Sequence, residues 1–342
     1  MQALFALMLL AGIGGNGHAA EEQIINQQVS FTSSDGTTLA GTLTLPVNIT
    51  AGVPGVLLLQ GSGPTDRDGN QLPLRTDLLR QIAEELTSQG MATLRFDKRG
   101  MHANAAGRPA AQSDYAAFFG WDRFIADAFA AYTFLKDQDV VDDHRIALLG
   151  HSEGGLIALD LASRLKADEA PAALVLAATP GRPLNDVLRD QLERLLGEQR
   201  ATPAQRRFFL AANDRISKTI RETGKVPNDV PPGLAALYPF YIGPFWQAVM
   251  QLDPATLAGN VTMPVLLLQG DSDQQISPEK DALALSRALE RRSAGDHALL
   301  MLTRTSHNLK PLQNNSDPGI EGDVDPGLLR RLSEWLLEKL NR

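Results

Sequence analysis

Residues 146–158 read Ile146-Ala-Leu-Leu-Gly-His-Ser152-Glu-Gly-Gly-Leu-Ile-Ala158. Four apolar residues in a row are short for a helix and fit a strand buried on both faces. The chain then meets Gly150-His151-Ser152-Glu153-Gly154, a G-x-S-x-G match, and resumes at once with helix-forming residues. A serine on so sharp a strand-to-helix turn needs small neighbours, which Gly150, Gly154 and Gly155 supply. The turn exposes the Ser152 hydroxyl and aims the following backbone N–H groups at charge developing on a carbonyl oxygen. The stretch predicts a nucleophile at Ser152 and a sheet of mainly parallel strands around it.

Working outward, the same rhythm recurs. Val56 to Leu59, Met91 to Phe96, Leu174 to Ala177, Val265 to Gln269 and Ala298 to Leu302 read as further buried strands. Amphipathic helices lie between them. One is capped by Thr76, carries Leu78, Leu79, Ile82 and Leu86 on one face and stops at Gly90. Others follow from the stripe Trp121, Phe124, Ile125, Ala128, Tyr132 and Leu135, from the stretch near Glu279 to Arg292, and from Leu328 to Leu340. A hairpin is expected from Val29 to Pro46, turning at Asp35-Gly36. Strands alternating with helices predict an α/β fold, a mainly parallel sheet covered by helices on both faces.

The rhythm stops from 181 to 259. Two helices are expected there, Leu184 to Arg200 and Pro203 to Thr223, followed by a Pro-rich turn at Pro227, Pro231 and Pro232. Tyr238, Phe240, Tyr241, Phe245 and Trp246 then fall within nine residues, in a chain with 12 Phe, 4 Tyr and 3 Trp. A helical insertion at this place would sit over the carboxyl edge of the sheet, where open α/β sheets bind ligands. Tyr241, Phe245 and Trp246 are the candidate substrate-binding rings; holding the insertion's own core is the plainer role. The expected organisation is a core of 21–180 and 260–342 with a cap of 181–259.

A serine hydroxyl needs a base, normally histidine. Of six histidines, His18 lies in the leading apolar segment, His102 follows the Asp97-Lys98-Arg99-Gly100 turn, and His144 and His297 precede strands. His151 flanks the serine and is expected to pack at the elbow. His307 alone follows a strand at its carboxyl edge, so it is the expected base. The orienting acid should follow the strand Val265 to Gln269, where Gly270-Asp271-Ser272-Asp273 offers two carboxylates. Asp273, two residues further on, can turn back toward His307 and is preferred; Asp271 remains the alternative, with the turn's backbone as its other role. Gln60-Gly61-Ser62-Gly63-Pro64 follows an early strand directly, and its glycines let the Ser62 N–H approach a substrate beside that of Glu153.

Composition removes other classes. With 342 residues, 43% hydrophobic and 21% charged, the chain has ordinary globular usage. A net charge of −8 without basic runs argues against nucleic acid as partner. The absence of cysteine excludes a disulfide framework, a thiolate metal site and a cysteine nucleophile. Asp66-Arg67-Asp68-Gly69-Asn70 looks like a calcium loop but lacks the later bidentate acid, so a local salt-bridged turn is expected and no metal. Gly12, Gly14 and Gly17 match a dinucleotide fingerprint that no strand precedes. No cofactor is expected. The apolar run Ala3 to Ala11, the glycines after it and Ala19-Ala20 read as a signal peptide over residues 1–20, hence a periplasmic or secreted protein. No Lys or Arg precedes the run, which leaves its true start open. The run is too short for a span of about 20 residues, so no stable membrane span is expected in the mature chain. Nothing in the pattern fixes an oligomeric state.

The order Ser152, Asp273, His307, the elbow GHSEGG, the loop QGSGPTDRDGN and the turn FDKRGMH together resemble the α/β-hydrolase superfamily. Within it they are similar to exported bacterial serine esterases related to prolyl-oligopeptidase-like and serine-aminopeptidase-like hydrolases. The resemblance runs from Val29 to Leu340, the insertion matching in position rather than sequence. It implies the α/β-hydrolase fold with a helical cap, oxyanion donors at Ser62 and Glu153, and a carboxylesterase that cleaves a small-molecule ester through an acyl-enzyme. A small peptidase or amidase of the serine-aminopeptidase type is the alternative, with Glu153 or a cap carboxylate anchoring the substrate amine. A non-catalytic binding protein on the same fold is the third reading. Many relatives have His-Gly where this chain has Gln60-Gly61; backbone donors do not depend on that side chain, whereas substrate preference can.

Overall fold

The computed structural model describes residues 24–49, 52–292, 295–314 and 316–341. Residues 1–20, read as a signal peptide, lie outside them. The hairpin is built from β1 (Ile24–Thr32) and β2 (Thr38–Pro46), turning through Gly36 at φ 85°. There follow β3 (Val53–Leu59), α1 (Leu78–Ser88), β4 (Ala92–Phe96), the short α2 (Tyr115–Phe118), α3 (Trp121–Lys136), β5 (Val141–His151), α4 (Glu153–Arg164) and β6 (Ala173–Ala177). The segment between β6 and the next strand holds α5 (Leu184–Glu198), α6 (Pro203–Thr223), α7 (Gly243–Gln251) and α8 (Pro254–Asn260). The chain closes with β7 (Val265–Gly270), α9 (Leu283–Glu290), β8 (His297–Leu302) and α10 (Pro326–Leu340).

One eight-stranded sheet results, in the order β1-β2-β4-β3-β5-β6-β7-β8. The hairpin joins antiparallel to β4, and every later pairing is parallel. Alternate side chains of the central strands feed two cores. Leu57, Leu59, Ile146, Leu148, Leu174 and Leu176 face α3, α4 and the inserted helices. Val56, Leu58, Ala147, Leu149, Val175 and Leu268 face α1 and α10. Both faces are therefore dry, which is why these strands read as continuous apolar runs instead of alternating ones.

Three local details differ from the sequence reading. Thr76 is no simple cap: its hydroxyl donates to the Gly69 carbonyl at 2.7 Å and accepts weakly from the Leu78 N–H at 3.3 Å. Asp77, at φ 47°, opens α1 instead. The helix expected near Glu279 starts with a wider π-turn, Pro278–Ala282, in which the buried Asp281 carboxylate accepts from the Gly181 N–H and from Arg182. In the insertion, α5 and α6 fall close to the expected spans, and Thr202 with Gln205 forms a capping box at α6. The helices α7 and α8 were not anticipated. They have nine and seven residues, too few turns for a 3.6-residue period to stand out.

Candidate active site

Ser152 sits between β5 and α4 at φ 56° and ψ −120°. A non-glycine residue there carries strain of order 1–3 kcal/mol, which persists only where the surroundings over-determine it. They do so here. The Ser152 N–H donates to the Ala177 carbonyl of β6 at 2.8 Å, and the backbone passes so close to its neighbours that side chains are barred. A Cβ on Gly150 would run into the Gly154 carbonyl, one on Gly154 into the Leu59 carbonyl, and one on Gly155 into the Thr179 hydroxyl. The glycines of the motif are thus demanded by contact.

His307 follows β8, and Asp273 follows β7. The loops bring them together: His307 Nδ1 donates to Asp273 Oδ2 at 2.8 Å. Asp273 Oδ1 accepts the Gln275 and Ile276 amides at 2.8 and 2.9 Å, and Oδ2 also accepts from Gln269 at 3.0 Å. Burial would raise the Asp273 carboxyl, but the adjacent His307 and these amides outweigh it and hold the group below the usual carboxylate range. Asp271 does something else. Its Oδ1 accepts the Arg304 N–H at 2.7 Å and the Ser272 hydroxyl at 2.8 Å, tying two loops together. The His307 loop is anchored by Lys310, fully buried, which donates to the Thr76 carbonyl at 2.7 Å and to that of Gly322.

His151 packs under the site. Its Nε2 donates to the His307 carbonyl at 2.8 Å, and the two rings lie 4.7 Å apart. Burial, then the neighbouring His307, push its pKa down to about 3, so it stays neutral and structural.

The turn after β4 contributes residues that sequence reasoning quoted without giving them a task. Asp97 pairs with Arg67 at 2.7 Å. Arg99, wholly buried, forms a two-pronged pair with Asp127 at 2.7 and 2.5 Å and reaches Asp35 at 2.8 Å. Lys98 turns to the site: its Nζ donates to the carbonyls of Gly61 and Gly63 at 2.7 and 3.3 Å and to Glu153 Oε1 at 2.8 Å. The Gly61 carbonyl shares a planar trans peptide with the Ser62 N–H, so pulling one end of that unit fixes the direction of the other. Gly61 itself lies against the serine, since a Cβ there would stand 3.4 Å from Ser152 Cβ. The Ser62 carbonyl accepts from Thr65 and Gln71 at 2.7 and 2.6 Å, which braces the same loop. Asp66 and Asp68 are occupied as the turn reading expected, by backbone amides and by Arg95. Among the described residues no group of three or more His, Cys, Asp or Glu is placed to hold a metal ion.

Ser152, Ser62 and His307 line one cavity of about 150 Å³ together with Gln71, Gln275 and Asn308. A second, of about 520 Å³, meets the site at Ser62 and Glu153 and extends under the insertion past Phe119, Tyr241, Phe245 and Trp246. The two latter rings are also core: Phe245 stands edge-on to Trp121 and Phe124, and the Trp246 N–H donates to the Leu237 carbonyl.

Residues 76–310, more than half of the chain and all of the elbow, match the model of the family described as serine aminopeptidase, S33. The chain belongs to the serine aminopeptidase S33 family. In this S33 chain the eight-stranded sheet is also that of α/β-hydrolases of known structure. An esterase of Pyrococcus furiosus superposes with a TM-score of 0.57 at 16% identity, covering 96% of either chain. Est1E of Butyrivibrio proteoclasticus does so at 0.56 and 16%, over 92% of this chain and 99% of that one. At the level of sequence, the S33 chain is 29% identical over 320 residues to the esterase EstD of Thermotoga maritima, across 90% of its own length and 68% of EstD. No helix among its described residues is long and apolar enough to cross a membrane.

Proposed function

We propose that the protein is a serine carboxylesterase that cleaves small-molecule esters through an acyl-enzyme. Ser152 Oγ bonds to the ester carbonyl carbon while His307 Nε2 takes its proton; Asp273, on Nδ1, fixes the tautomer and stabilises the imidazolium. The Ser62 and Glu153 amides hold the oxyanion. The bond to the alkoxy oxygen then breaks, and that oxygen leaves with the proton from His307. Water repeats the sequence on the acyl-enzyme and frees the acid. The segment 181–259 acts as a cap over this site.

The observation that carries the ester reading over the aminopeptidase one is the Lys98–Glu153 pair. An aminopeptidase needs a carboxylate for the substrate's ammonium group. Glu153 is the only acid lining the cap cavity among the described residues, and its carboxylate already meets Lys98 at 2.8 Å. The other charged group there is Arg108, a cation. The likeness to EstD, named an esterase, supports the same reading.

The test is kcat/KM on an ester and on the matched amide with a free α-amino group. The ester should be cleaved and the amide should not; an amide turned over faster than its ester would replace the esterase by an aminopeptidase. Residues 1–20 support export to the periplasm or beyond, and N-terminal sequencing of the exported protein would locate the cleavage.

A further inference from the structure

The cavity that Ser152 lines with His307 and the cavity that begins beside it at Ser62 and Glu153 differ in size and chemistry, and ester hydrolysis assigns a substituent to each. In the tetrahedral intermediate the former carbonyl carbon carries the serine oxygen, the oxyanion, the alkoxy group and the acyl chain. The alkoxy oxygen takes its proton from His307, so it must lie within hydrogen-bond reach of that ring. The cavities that His307 lines measure about 150 and 170 Å³. The first of them presents Thr65, Gln71, Thr76, Gln275 and Asn308, and Gln275 also borders an open groove of about 660 Å³ that runs past Asp190 and Lys280. This side is small where it meets the serine, and polar beyond.

The cap cavity differs from the two cavities at His307. It is larger than either, about 520 Å³, adds a wall of aromatic rings to the charged Lys98, Glu153 and Arg108, and touches Ser62 and Glu153 without reaching His307. A group there cannot receive the histidine's proton, yet it is next to the oxyanion donors. We infer that the acyl chain occupies the aromatic cap cavity and the alcohol the His307 side. The substrates are then esters of a bulky apolar or aromatic acid with a small or polar alcohol. The inference rests on the esterase reading above.

Methyl octanoate and heptyl acetate test it, because they are isomers of equal apolar content with the ester reversed. The wild-type enzyme should prefer methyl octanoate by at least about tenfold in kcat/KM, the scale on which a few methylenes in a pocket discriminate. Ala236 lines the cap cavity from an exposed position, so Ala236→Trp fills the space without removing core. In that variant methyl octanoate should lose at least about tenfold more than methyl acetate. An equal or better rate on heptyl acetate in the wild type would overturn the assignment, whether or not the variant folds. Fluorophosphonate labelling of Ser152 separates the two levels. A labelled enzyme that prefers heptyl acetate keeps the esterase reading and loses the acyl assignment. An unlabelled enzyme inert on both esters loses both.

Discussion

The Lys98 ammonium lies 2.8 Å from the Glu153 carboxylate and 2.7 Å from the Gly61 carbonyl. One cation thus meets both segments proposed to donate to the oxyanion: the backbone of the loop after β3 and the side chain of Glu153, which opens α4. Its side chain is 5% exposed and that of Glu153 11%, so the pair is held out of water. Lys98→Met should leave Glu153 buried and unpaired, at a cost of about 3–5 kcal/mol in stability. It should also free the Gly61–Ser62 peptide and lower kcat by about 10²-fold, the scale of one oxyanion donor, with KM little changed. Adding Glu153→Gln removes the orphaned charge. If Tm then recovers and kcat does not, Lys98 positions the loop; recovery of both would reduce it to a structural ion pair.

The two aspartates after β7 should separate cleanly. Asp273→Asn leaves a neighbour able to favour the wrong tautomer of His307, which costs about 10⁴ in kcat in the serine proteases where it has been measured. Asp271→Asn keeps an Oδ1 acceptor for Arg304 and Ser272 and removes only the charge, so it should cost at most about 1 kcal/mol of stability and little activity. Steady-state kinetics with a melting curve on each variant decide the order. The reverse ranking would contradict the assignment of the acid.

His151 sets an acid-side slope. Its folded-state pKa of about 3 lies below the ordinary value of 6.5, so between these pH values the unfolded chain binds a proton that the folded one refuses. Stability from this group is complete above pH 6.5. It falls as pH drops toward 3, by on the order of 1.4 kcal/mol per unit. His151→Gln keeps a donor for the His307 carbonyl but does not titrate. Denaturant melts from pH 7 to 4 should show a shallower loss in the variant; parallel curves would show that His151 does not carry the slope.

Within the aromatic cluster of the insertion, position decides the effect. Phe245 is buried against Trp121 and Phe124, and Phe245→Ala should cost about 3–5 kcal/mol. Phe240 is 64% exposed, and Phe240→Ala should stay within about 0.5 kcal/mol. Melting temperatures of the two variants measure this directly.

How far these features could be read from the residues depends on range in the chain. The elbow was legible because its requirement is local: Gly150, Gly154 and Gly155 are adjacent to the serine whose turn they permit. His307 could be singled out by elimination, since an apolar run ends just ahead of it; that run is β8, the half-buried edge strand of the sheet, with Met301 exposed. Asp273 and Asp271 sit two residues apart on one loop, and only the fold separates them: the Asp273 carboxylate turns back to His307, while that of Asp271 reaches across to the Arg304 N–H. Lys98 could be quoted but not assigned. Its partners Gly61 and Glu153 lie 37 and 55 residues away, and no periodicity couples a turn to a loop at that distance. The same limit applied to the cap rings: sequence spacing made Phe245 and Trp246 conspicuous, but not which of their faces meets the core and which the cavity.

The central claim is that Ser152 is the acylated nucleophile. The most direct measurement is intact-protein and peptide mass spectrometry after reaction with a fluorophosphonate, on wild type and on Ser152→Ala, alongside ester turnover. The account predicts one adduct per chain located on Ser152, none in Ser152→Ala, and a fall in kcat of several orders of magnitude in a variant that keeps its melting temperature. An adduct at another residue, or a Ser152→Ala enzyme active within about tenfold of wild type, would contradict it.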